Sequence, residues 1–198
     1  MMADILNPDS ILAAEFDYLS KAAFQANEDR AKVTTLYLLT VGSFLAATLS
    51  LEVDFVASQT VSVALAALFA ILSVYATLTL LQLVRLRQAW HESIMALSQL
   101  KDYYLARFED VAFKEAFAWS RETVPPKFKP WSISFLLALQ VILLGAASLA
   151  AAVLFLGLAL SGDSKAWMWI IAIFVALIYF FDLLAVYWWL LREEDKDQ

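Results

Sequence analysis

The chain has no cysteine and one histidine, His91. The first absence removes disulfides, thiolate nucleophiles and thiolate-bound metals. The second removes the HExxH pair and any two-histidine metal site within one chain. Glycine is also scarce: only Gly42, Gly145, Gly157 and Gly162 are present, and their spacing builds no phosphate-cradling loop. Charge is thin at 17% of residues, and the net charge of −6 argues against a broad basic surface for nucleic acid or anionic lipid. No catalytic, cofactor-binding or metal-binding residue is expected, and the chain does not read as an enzyme of a common class.

What the sequence has in quantity is apolar residues, 62% of 198, where soluble domains hold roughly 45–50%. They fall in four blocks, Val33–Leu51, Thr60–Val84, Trp131–Leu160 and Trp167–Leu191. Each is long enough for a helix to cross a hydrocarbon core of roughly 30 Å. Runs such as Ala64 to Leu72 lack the alternation of a barrel strand. Only helices or closed barrels satisfy backbone polar groups in lipid, so the expected fold class is all-α, a polytopic membrane protein with four transmembrane helices. The first thirty residues carry Asp4, Asp9, Glu15, Asp17, Glu28 and Asp29. That pattern is not a cleavable signal peptide, and the first span is expected to act as its own membrane signal.

Orientation follows from Lys and Arg. The segment 52–59 has neither, and the connection after the third block has only Lys165. Between the second and third blocks stand Arg85, Arg87, Lys101, Arg107, Lys114, Arg121, Lys127 and Lys129, and before the first stand Lys21, Arg30 and Lys32. Positively charged short segments stay in the cytoplasm, which predicts a multi-pass protein of the plasma (inner) membrane with both termini cytoplasmic. The aromatic anchors agree: Trp131, Trp188 and Trp189 fall at one interface, Trp167 and Trp169 at the other.

Two helical extensions are expected on the cytoplasmic side. Asp9 and Ser10 are suited to cap a helix over 9–32, in which Leu12, Phe16, Leu19 and Ala23 recur at helical spacing. A stalk helix over 85–122 is marked by Leu86, Trp90, Ile94, Leu97, Leu100, Tyr104, Phe108 and Val111. Pro125, Pro126 and Pro130 then turn the chain back, and a charged tail, 192–198, closes it. All of this reads as a single membrane domain.

The short outer loop makes the first two spans a hairpin with mirror symmetry about Val56. That register sets Glu28 beside Arg85 and Gln25 beside Arg87. Glu28, Asp29, Arg30, Arg85 and Arg87 are therefore candidates for an interfacial ion-pair cluster, against the plainer reading of solvated flanking charges. Asp182 is the most informative residue, an acid among Phe180, Phe181, Leu183 and Leu184, about 15 Å along the helix from Arg192. Placing an acid there costs roughly 2.5–3.5 kcal/mol on insertion scales. Gln140, Tyr75, Thr40 and Ser43 are placed at a similar depth, so one polar layer is expected across the bundle. Its two readings are hydrogen-bonded glue between helices and an ion or proton pathway.

The order of elements, an N-terminal helix, a transmembrane pair and a cytosolic helix, is similar to that of bacterial SLATT-type membrane effectors. The resemblance covers the first 120 or so residues, and the third and fourth spans depart from it. It implies membrane disruption in a defence system and carries no site residue. The leading functional expectation is a non-enzymatic homo-oligomer in the lipid bilayer, a channel or pore whose stalk assembles the complex or senses a signal. The alternative is a structural or regulatory accessory subunit, docking through the stalk on a cytosolic or membrane protein. No nucleic-acid partner and no cofactor are expected.

Overall fold

A computed structural model of the chain describes residues 8–51, 58–107, 124–162 and 165–192. Among the described residues the regular structure is all helical, with no strand. The helices are α1 (Pro8–Leu49), α2 (Gln59–Arg107), α3 (Ile133–Ser161) and α4 (Ala166–Arg192). By length and composition, all four are able to cross a membrane, which is consistent with a multi-pass membrane protein. α1 and α2, of 42 and 49 residues, are about 63 and 74 Å long at 1.5 Å per residue. Both therefore exceed a hydrocarbon core of roughly 30 Å about twofold.

The contacts divide the chain into two compact units, 1–31 with 85–129 and 32–84 with 130–198. The three divisions fall where apolar sequence meets charge, between Ala31 and Lys32, between Val84 and Arg85 and between Lys129 and Pro130.

In the first unit, Ala23, Ala26 and Trp90 form a small buried cluster with Ile94 packed against it. The alanines let α1 approach α2 closely enough to cover an indole. Arg107 of α2 bonds Asp9 of α1 at 2.9 Å. α1 is described from Pro8 onward, with Asp9 and Ser10 in its first described turn. The stalk expectation is described as far as Arg107, and its part over 108–122 lies outside the described residues.

In the second unit, α3 starts at Ile133 because Ser132 caps it, its hydroxyl accepting from the Phe135 amide at 3.3 Å. α3 ends at Gly162, whose φ of 74° is the left-handed conformation that glycine adopts without a Cβ clash. The Gly162 amide bonds the Leu158 carbonyl at 2.9 Å. The connection to α4 is short, so α3 and α4 form an antiparallel hairpin. Its interior holds Val141, Ile142, Ala172, Leu183 and Tyr187, and Phe155 of α3 stacks on Phe69 of α2 at 5.6 Å. The outer faces carry Leu39, Ile71, Ile133, Ile170, Phe174 and Phe181, all exposed. Water would penalise so continuous an apolar surface, and lipid tails do not.

Candidate functional site

The polar groups of the second unit include a hydrogen-bonded junction inside the bundle and an exposed pair, Gln140 and Asp182, outside it. The junction forms where α2, α3 and α4 meet. Ser73 and Thr77 of α2 are four residues apart and share one side of their helix. The Tyr179 hydroxyl of α4 reaches both, donating to the Ser73 carbonyl at 2.5 Å and lying 2.7 Å from Thr77 Oγ1. A phenol has one hydrogen, and a carbonyl only accepts, so Thr77 is the donor in its bond with Tyr179. Ser73 turns its own hydroxyl to the Ala70 carbonyl at 2.8 Å. Every hydroxyl at this junction is satisfied within the bundle, which lipid requires.

Gly145 of α3 makes the approach possible. A Cβ there would sit 2.5 Å from the Ala76 Cβ and 3.3 Å from Tyr179 Cε1. A few steps away, the Tyr37 and Tyr75 rings pack at 5.4 Å and 56°. The Tyr37 hydroxyl and Thr79 Oγ1 are buried without a hydrogen-bond partner among the described residues.

Of the residues singled out from sequence, Tyr75 is half-buried against Tyr37, and Thr40 donates back to the Leu36 carbonyl of its own helix at 2.8 Å. Ser43, Gln140 and Asp182 are exposed. Among the described residues neither Asp182 nor Gln140 makes a hydrogen bond or ion pair. They nonetheless share a level. Phe135 meets Tyr187 at 6.3 Å, and Gly145 meets Tyr179. Gln140 is midway between the two α3 residues, and Asp182 lies between the two α4 residues. In an antiparallel pair, that sets them side by side in height while both look outward.

The residues of the expected ion-pair cluster belong to the first unit. Arg85 is exposed and donates to Gln88 of its own helix at 3.2 Å. Arg87 is buried. Its Nε and Nη2 donate to the Lys127 and Pro126 carbonyls, each at 2.9 Å, and its guanidinium lies 4.4 Å over the Trp90 ring. The fork thus bonds two carbonyls of the proline-rich segment. Glu28 is exposed, Asp29 half-buried and Arg30 buried on α1.

Sequence reasoning missed Tyr179, Ser73 and Thr77 as a set. The available signal was the four-residue spacing of two hydroxyls in an apolar run, with a tyrosine one turn before Asp182. Comparisons with protein-family models, curated proteins and solved structures return no match to this chain.

Proposed function

We propose that the chain is a non-enzymatic, homo-oligomeric protein of the plasma (inner) membrane that forms a channel or pore, with both termini and the helical extensions of α1 and α2 on the cytoplasmic side. The observation that carries this is Asp182, exposed near the middle of α4 with no partner among the described residues. Acids at membrane depth face a bundle interior, a cavity or another protein, because lipid offers no hydrogen bond. The interior of the second unit holds the Tyr179 junction and mostly apolar side chains, and Asp182 lies outside it. Asp182 is left to another copy, and the conducting path of this reading passes that acid where copies meet.

The test is flux through liposomes reconstituted with purified protein, read together with the mass of the solubilised complex and its melting temperature. Asp182→Asn keeps hydrogen-bonding atoms at similar volume without charge. It is expected to preserve mass and melting temperature while abolishing flux. Unchanged flux in Asp182→Asn would reduce the acid to packing, and a wild type without flux would remove the channel.

One observation favours the accessory-subunit reading. Tyr18 and Phe24 of α1 are 66% and 70% exposed in the charged stretch outside the apolar block, where water is the expected solvent. Such side chains suit a docked protein. A single-chain mass with a co-purifying partner would support that reading over the channel.

A further inference from the structure

Gln140 and Asp182 each stand in the middle of an outward stripe. On α3 the stripe is Ile133, Gln140 and Ala147; on α4 it is Val175, Asp182 and Trp189. Members of each triplet are seven residues apart, close to two helical turns, so each triplet keeps to one side of its helix. Five of the six are exposed and Val175 is half-buried. Laid antiparallel with Gln140 against Asp182, the stripes also bring Ile133 to Trp189 and Ala147 to Val175. One pairing therefore sets three levels of contact.

The chemistry is complementary within this one sequence. A carboxylate accepts from the glutamine amide, and a carboxylic acid donates to the amide oxygen, so glutamine answers either form. No Lys or Arg stands between Lys32 and Arg85, between Pro130 and Lys165, or between Lys165 and Arg192. No cation of this chain competes at that depth. Copies inserted in the same orientation hold their Gln140 at the same height as a neighbour's Asp182. Resting on the oligomeric reading above, we infer that Asp182 of one copy bonds Gln140 of the next, with α4 lying antiparallel on the neighbouring α3. The two stripes are different surfaces, so the contact is head-to-tail, and its repetition closes a ring.

The absence of cysteine makes the test direct. Two double variants place both cysteines in one chain, Ala147→Cys with Val175→Cys and Ile133→Cys with Trp189→Cys. Oxidised in native membranes, each is expected to give a ladder of covalent multimers that stops at the ring size. Ala150→Cys with Leu177→Cys, two positions lining one groove between α3 and α4, is expected to give no ladder. In the ladder background, Asp182→Leu should lower the crosslinked fraction several-fold, and exchanging the pair, Asp182→Gln with Gln140→Asp, should restore it. Covalent dimers from Val175→Cys alone, equal in yield to the double variant, would overturn the head-to-tail contact in favour of a two-fold one. Failure of the exchange to restore the ladder would overturn the Asp182–Gln140 bond. No interchain product from either pair, with a solubilised mass above one chain, overturns this interface and leaves the oligomer standing. A mass of one chain removes the oligomeric reading itself.

Discussion

Tyr37 of α1 and Tyr75 of α2 pack ring on ring at 5.4 Å, and the two residues are equidistant in sequence from Val56. The contact brings them to one height and fixes the register of α1 on α2 within the second unit. Tyr37 is fully buried, yet its hydroxyl has no hydrogen-bond partner among the described residues. Tyr179 has the opposite balance, with its hydroxyl bonded to Ser73 and Thr77.

The two tyrosines therefore predict opposite signs for one chemical change. Tyr37→Phe removes a buried polar atom that gains nothing and keeps the ring contact, so stability is expected to hold or rise by up to about 1 kcal/mol. Tyr179→Phe is expected to lower it by roughly 0.6–1.7 kcal/mol, the range of interhelical bonds in membranes. Thermal unfolding of both purified variants in one detergent decides it; equal losses would count against the junction.

Gly145 predicts a size-dependent loss with a specific rescue. In Gly145→Ala the new Cβ meets Ala76 Cβ at 2.5 Å, closer than packed carbons allow, and overpacking of this kind costs roughly 1–3 kcal/mol. Ala76→Gly removes the opposing atom. The double variant should recover more stability than the sum of the single changes, measured as coupling in a double-mutant cycle. Strict additivity would mean that the helices do not approach here.

Arg87 predicts that its guanidinium contributes to holding the proline-rich segment. Arg87→Ala gives up two charge-assisted bonds and the Trp90 contact, at a cost of about 2 kcal/mol. Arg87→Lys should recover less than half of that, since an ammonium cannot present a fork to two carbonyls. The measurement is amide exchange over 124–130, expected to speed up in both variants. Unchanged protection in Arg87→Ala would show that the guanidinium holds nothing.

The charge asymmetry predicts orientation. Reporters fused after Gln198 and inserted near Asp110 should both read cytoplasm, and one near Ala57 should read the outer side. A stalk reporter on the outer face would refute the positive-inside assignment.

Read from the sequence alone, the four helices and a shared level for Asp182 and Gln140 are accessible. They depend on length and on counting residues from the Trp and Arg positions at the ends of each block. Apolar runs bounded by charge and proline admit only helices at those places in lipid. What the sequence could not settle was direction around each helix axis. α3 and α4 are apolar on nearly every side, because lipid tails and a packed interior accept the same residues, so no stripe distinguishes inside from outside. Tertiary structure decided that Tyr179 turns inward to Ser73 and Thr77 while Asp182, three residues later, turns out. It did so through Gly145 and Ala76, whose small size lets α3 come close to α2 and to the Tyr179 ring.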